Sequence, residues 1–240
     1  MFKKYDYNSI EQDEENNIIR DFSTAKLRLN FVYKVYGILA TQLLITTLFV
    51  VMSMFFFQFA QFQTDYWFLA IIAIIISIII IYALICYPQN SKTVPTNYIL
   101  LLSFTICESY IVSFICSTYG QLTVLMSAAG TVLITLTITL YAMKTKTDFT
   151  VCGGLLWVSV MCLFILSLFY FFFRVPILNT IICVFGLFIF GLYLAYDTQL
   201  VIGGKKYELD LDNYIVGALN LYLDIINIFL YLLRLLGQKN

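Results

Sequence analysis

Apolar residues run along most of this chain in blocks of about twenty, separated by short polar breaks. A helix needs ~20 mostly apolar residues to cross the hydrocarbon of a bilayer. Windows of that kind predict seven spans, at roughly 34–58, 66–87, 97–119, 122–143, 150–173, 177–200 and 213–236. The second carries the plainest signal, FLAIIAIIISIIIIYALIC. The seventh is the weakest, because Asn220, Asp224 and Asn227 interrupt it. The connections are short, so consecutive helices should pack as neighbours in one bundle. Residues 1–30 differ: they hold Glu11, Asp13, Glu14 and Glu15 and no apolar stretch. They fit neither a signal peptide nor an amphipathic transit peptide. The expected organisation is a mobile cytosolic tail over 1–30 and a seven-helix transmembrane domain over 31–240, with the first span as signal anchor.

Composition narrows the class. Of 240 residues, 61% are hydrophobic and 12% charged, and the mean hydropathy is +0.89. A compact soluble chain cannot hide that much apolar surface. A soluble enzyme, a disordered protein and a secreted disulfide scaffold are thereby excluded. With 3 prolines and 11 glycines, a loop-rich β architecture has little support, which leaves an all-α, polytopic membrane protein. The 14 basic residues balance 14 acidic ones, so no nucleic-acid footprint is present. The 6 cysteines make no CxxC pair and read as small packing residues. Histidine is absent, so any pH response near neutrality needs another group.

Basic residues set the topology. Lys3, Lys4, Arg20, Lys26, Arg28 and Lys34 precede or open the first span. Lys92, then Lys144 and Lys146, then Lys205 and Lys206 fall in the second, fourth and sixth connections. Only Arg174, Arg234 and Lys239 remain for the other side if all seven helices cross. A cytosolic N-terminus follows. If the seventh helix were re-entrant, Arg234 and Lys239 would return to the cytosolic side, so this rule leaves the last helix open.

Three acids lie within spans: Glu108, Asp197 and Asp224, with no Lys or Arg deep in any span to neutralise them. Ionisable groups in a bilayer are costly and mark function by default. On the seventh helix, Asn213, Gly217, Asn220, Asp224, Asn227, Tyr231 and Arg234 recur at steps of three and four, one polar stripe. Such a stripe faces protein or water; it serves either as hydrogen-bond glue between helices or as a hydrated gate. Asp197, in YDTQL, is either an interfacial carboxylate or a partner for Asp224 on the antiparallel neighbour. Contact between them requires the sixth helix to run past residue 200 or the seventh to start later than residue 213. Two like charges in a low-dielectric site cannot both ionise cheaply, so a meeting pair would share a proton. Ionised, it would repel or admit a hard cation such as Ca²⁺ between its oxygens. Glu108, in CESYIVSF, is a hydrogen-bonded neutral acid or a further pathway group. The Thr123, Ser127, Thr131, Thr135 and Thr139 series is explained by hydroxyls bonding back to their own helix. Asp212 or Asn213 is the expected N-cap of the last helix.

The segment YDTQLVIGGKKYELDLDNYIVGALNLYLDIINIFLYLLRLLG resembles the C-terminal signature of the transmembrane Bax-inhibitor-motif family, in its Lifeguard and Golgi anti-apoptotic branch. VYGILATQLLITT, FTICESY and MKTKTDFT resemble earlier segments of that family, in order. The resemblance implies a seven-helix bundle with the last helix central, in Golgi or endoplasmic reticulum membranes. It implies a pH-dependent Ca²⁺ leak and protection against stress-induced cell death. The family's aspartate latch would carry over onto Asp197 and Asp224, and an acid affecting ion flux onto Asp212. The arginine that accompanies the latch in a bacterial relative has no counterpart in the second span here.

These residues support a Ca²⁺-permeable leak channel of internal membranes, gated by Asp197 and Asp224, with Glu108, Asp212, Asn220 and Asn227 as supporting polar groups. The partners expected are the lipid bilayer, Ca²⁺ as permeant ion and protons, with no cofactor and no nucleic acid. Two alternatives use the same features: a non-conducting regulator that binds other channels or death-pathway proteins, and a proton-coupled cation exchanger. An enzyme is not expected. Tyr196–Asp197 matches one motif of aspartyl intramembrane proteases, but LYLD lacks the glycines of the other.

Overall fold

A computed structural model describes residues 7–237, with side-chain surroundings from Ala25 onward except at Pro88. The described residues form helices joined by short connections. Helix α1 (Tyr7–Phe55) is followed by the short α2 (Phe57–Asp65), then α3 (Phe68–Cys86), the one-turn α4 (Pro88–Lys92) and α5 (Thr96–Ser117). Next come α6 (Gln121–Lys144), a 3₁₀ turn (Phe149–Cys152), α7 (Gly153–Phe173), α8 (Pro176–Ile202) and α9 (Tyr214–Leu236). Seven of these are long and apolar enough to cross a membrane, starting with Ala25–Phe55 of α1. Continuous helix is what a lipid-spanning chain requires, since each backbone N–H finds its acceptor within the segment. The spans match the expected ones within a few residues, except that the first begins earlier. Helix reaches back to Tyr7, inside the segment expected as a tail; residues 1–6 lie outside the described residues.

Helix α9 is the hub. It packs against α8, α1, α6 and α5, and 61% of its most apolar window is buried, against 11% for the span containing α7. Leu219, Ile228 and Leu233 of α9 are fully enclosed. The rim helix α7 instead shows Leu155, Trp157, Phe164 and Phe172 to the outside, as a lipid-facing helix should. Gly217 and Gly186 let α8 and α9 come close: a Cβ on Gly217 would lie 3.2 Å from Val201, and one on Gly186 would lie 2.7 Å from the Tyr231 ring. Small residues at helix crossings permit such approach in membranes.

Helix α9 also crosses the whole bundle. It begins beside α5, where Asn97 Nδ2 donates to Tyr214 Oη at 2.9 Å. It ends at Gly237, next to Tyr119 in the α5–α6 turn. Its 23 residues, at ~1.5 Å each, cover the ~30 Å hydrocarbon layer. The last span is therefore not re-entrant. The start of the first span and the lysine-bearing second, fourth and sixth connections share one face of the bundle.

That face is tied together by named bonds. Gln199, buried in α8, accepts from Phe149 N at 2.7 Å and donates to Thr147 O at 2.9 Å and Ala142 O at 3.2 Å. Lys205 Nζ donates to Thr145 O at 3.0 Å, and Lys206 N donates to Asp148 Oδ2 at 3.1 Å. The Asp148 carboxyl is held below the usual carboxylate range, chiefly by the hydrogen bond from the Thr150 hydroxyl and also by the Lys206 amide. Arg28 of α1 caps the end of α8: its guanidinium donates to Ile202 O at 3.1 Å and also to Leu200 O and Leu209 O. A cation on the last carbonyls of a helix both satisfies them and complements its dipole. Gly203 follows at φ 78 and ψ −170, backbone space that is essentially reserved for glycine.

Two outcomes follow for purified protein in detergent. Arg28→Ala should cost about 2 kcal/mol, the worth of charged hydrogen bonds to carbonyls. It should lower the melting temperature and speed amide exchange in 203–213; unchanged exchange there would contradict the cap. Gly203→Ala should cost about 1–3 kcal/mol in backbone strain. Its Cβ would also fall 2.5 Å from Glu208 Oε2 and 2.7 Å from Arg28 Nε. A melting temperature equal to the parent's would refute this.

Candidate functional site

Helices α8 and α9 run antiparallel. Gly186 faces Tyr231, Asp197 faces Asn220, and Val201 faces Gly217. Helix α8 extends to Ile202 before Gly203 ends it, and α9 starts at Tyr214. Both ends lie slightly beyond the expected ones, which brings Asp197 level with the turn of α9 that holds Asn220 and Asp224.

Asp197 and Asp224 are each 4% exposed, and their carboxyl groups are close neighbours, near enough to feel each other's charge. Asn220 Nδ2 donates to Asp197 Oδ1 at 3.2 Å. Oδ2 of Asp224 is buried with no hydrogen-bond partner. An ionised carboxylate only accepts, so two carboxyls can bond to each other only while one holds a proton. Among the described residues no Lys or Arg forms an ion pair with either acid. Tyr193, one turn before Asp197, is close enough to both acids to feel their charge. Asn220 thus bridges the two helices by binding the acid, the hydrogen-bonding role expected of the stripe.

The other candidates lie apart from the pair. Asn227 turns back on its own helix, donating to Leu223 O at 2.8 Å. Asp212 is exposed in the connection before α9. The expected cap is not formed: Asn213 occupies the N-cap position without a capping bond, its backbone at φ −92 and ψ 29 lying outside the extended region typical of a capping residue. Glu108 of α5 meets Ser77 of α3 and lies near the Tyr222 ring. Tyr222 and Asp224, two residues apart on a helix, point to nearly opposite sides. Glu108 is therefore across α9 from the aspartates. Of the α6 hydroxyls, Ser127 bonds back to Thr123 O at 2.7 Å and Thr131 to Ser127 O at 2.8 Å as expected, whereas the Thr135 hydroxyl is buried without a hydrogen-bond partner.

A seam of hydroxyl and amide groups joins α1 to α5 and α9. Gln42 Nε2 donates to Thr105 Oγ1 at 3.0 Å. The Thr46 and Ser109 hydroxyls lie 2.9 Å apart, and Thr46 and Tyr222 lie 2.8 Å apart. Sequence reasoning passed over this seam, and over Gln199 and Arg28. Equal spacing was the available signal: Gln42 and Thr46 are four apart, as are Thr105 and Ser109. Tyr36 of α1 and Thr198 of α8 are neighbours whose buried hydroxyls have no hydrogen-bond partner. The polar run YDTQ in an apolar helix was the clue to Thr198 and Gln199.

A family model described as inhibitor of apoptosis-promoting Bax1 matches residues 28–240, from the Arg28 cap onward. Human protein lifeguard 3 is 32% identical over 92% of this chain and 72% of its own length. Mouse protein lifeguard 3 is 29% identical over 98% of this chain and 78% of its own length. Mouse protein lifeguard 4 is 29% identical over 98% of this chain and 96% of its own length. Six apolar helices around a buried seventh, α9, matched by that model from α1 to the C-terminus, place the chain in the Bax-inhibitor-motif family of multi-pass membrane proteins.

Proposed function

We propose that this protein is a pH-sensitive leak pathway for Ca²⁺ in an intracellular membrane, Golgi or endoplasmic reticulum, with its N-terminus in the cytosol. The observation that carries the reading is the contact between the buried Asp197 and Asp224 carboxyls, with Asp224 Oδ2 unpartnered. While the pair holds one proton, a carboxyl–carboxylate hydrogen bond clasps α8 to α9. Such a bond is worth ~1.5–3 kcal/mol. With both groups ionised, two unit charges ~4 Å apart repel by ~4 kcal/mol at an effective dielectric constant of ~20. Losing the proton therefore swings this contact by several kcal/mol, enough to shift a two-state population more than a hundredfold. A divalent cation relieves the repulsion by sitting between the oxygens, which suits a hard ion such as Ca²⁺.

The family described as inhibiting apoptosis-promoting Bax1 supports a role in restraining cell death; in this reading the leak exerts it by lowering the calcium store. Catalysis is not part of this reading, and no resident cofactor is needed.

Reconstitution into liposomes with a Ca²⁺ reporter tests it. Efflux should rise with pH through the titration of the pair. Asp224→Asn should cut efflux at least several-fold and flatten its pH response. Unchanged efflux at every pH from 5 to 8 would remove Asp224 from the mechanism. Asp197→Asn should keep the melting temperature but move the pH midpoint of efflux to lower pH, since a neutral amide does not oppose the charge on Asp224. An unmoved midpoint would make Asp197 a structural acid only. Efflux that needs an imposed proton gradient would replace the leak by exchange, and absence of flux without added protein partners would replace it by regulation.

A further inference from the structure

The lysine-bearing face carries a second feature, away from the aspartates. The docked connections gather Lys144, Lys146, Lys205 and Lys206 over the ends of α6 and α8. Lys144, Lys146 and Lys206 are exposed, and among the described residues none of their ammonium groups makes an ion pair. The nearby acids are engaged by other donors. Asp148 accepts from Thr150 N, the Thr150 hydroxyl and Lys206 N. Glu208 accepts from Gly204 N at 3.2 Å, on the Arg28 side.

Directly below the lysines an apolar groove opens between α6 and α8. It holds ≈ 530 Å³ and is walled by Tyr141, Phe149, Leu192, Phe188 and Val184. The Tyr141 and Phe149 rings, 6.1 Å apart, form its upper end. Lys144 follows Tyr141 by three residues, on the same face of α6. From Ala195 to Val184 the groove follows α8 for three turns, ~16 Å, about half of the hydrocarbon thickness. A cationic rim above an apolar channel one leaflet deep has the shape and charge of one lipid class.

We propose that this is a binding site for an anionic phospholipid of the adjoining leaflet, its phosphate-bearing headgroup on Lys144, Lys146 and Lys206 and an acyl chain in the α6–α8 groove. Basic clusters at the ends of spanning helices attract anionic headgroups, each lysine contributing roughly fivefold in affinity. Lys205 is a positioning residue, because its ammonium is spent on the Thr145 and Lys146 carbonyls. An acyl chain is what the groove would lack if only a soluble phosphate compound were recognised.

Native mass spectrometry of the purified full chain, in mixed micelles of phosphatidylserine and phosphatidylcholine, tests this. The wild type should retain phosphatidylserine at least tenfold over phosphatidylcholine. The triple variant Lys144→Gln, Lys146→Gln, Lys206→Gln should lose that preference while keeping its melting temperature without added lipid. Val184→Trp, at an exposed position on the groove wall, should weaken retention of both lipids with the lysines intact. Glycerophosphoserine, which has the headgroup and no chains, should not displace the lipid at equal concentration. Equal retention of the two lipids by the wild type, a preference that survives the triple change, or retention indifferent to Val184→Trp would overturn the proposal. Displacement by glycerophosphoserine would reassign the site to a soluble phosphate compound. None of these measurements reads ion flux, so they stand or fall independently of the aspartate pair.

Discussion

Everything in this bundle follows from the withdrawal of one helix, α9, from both water and lipid. Its carboxyl, amide and phenol groups cannot be solvated by acyl chains, so they are met by neighbouring helices or, at Asn227, by the helix's own backbone. Asp224 and Asn220 are met by Asp197 of α8, and Tyr222 is met by Thr46 of α1. Leu219, Ile228 and Leu233 fill the spaces between. The result is a hub whose polar side chains choose its neighbours and whose apolar ones pack them.

The pieces of sequence that stood out as motifs are the pieces that touch. VYGILATQLLITT meets FTICESY through Gln42–Thr105 and Thr46–Ser109. Both pairs keep one offset along the two helices, so α1 and α5 run parallel with a fixed register. MKTKTDFT meets YDTQLVIGGKKYE through Gln199, Lys205 and the Asp148–Lys206 bond. Most of these residues build the frame. They hold the end of α8 in place, and Asp197 lies little more than a turn inside that end. An acid pair can act as a clasp only if the helices bearing it are otherwise anchored, and Arg28 and Gln199 supply that anchorage.

How much of this was legible beforehand follows from chemistry. Spans are set by the cost of placing polar groups in hydrocarbon, a local quantity that a twenty-residue window captures. The first span was the exception, since its leading turns are charged yet still helical. Asp197 and Asp224 could be singled out because a bilayer makes any acid conspicuous. Asn227 looked equivalent to Asn220 in the stripe, but one faces α8 and the other bonds to Leu223 O of its own helix. Helical spacing gives a face and not the neighbour that covers it. Asn213 sits at the expected cap position and still caps nothing, because its backbone, at φ −92 and ψ 29, is not in the extended region typical of a capping residue.

The chain's own pattern of apolar blocks, lysines and buried acids determined a seven-helix membrane protein, its lysine-rich side and the residues worth watching. Each of those depends on transfer from water to lipid, which a residue and its near neighbours decide. Tertiary structure alone decided that α9 crosses fully, that Asp197 lies level with Asp224, that Glu108 stands across α9 from them, and that four lysines crown an apolar groove. Those depend on the register between helices distant in sequence, and register is fixed by many small contacts acting together, from Gly217 against Val201 to Arg28 on the carbonyls of α8.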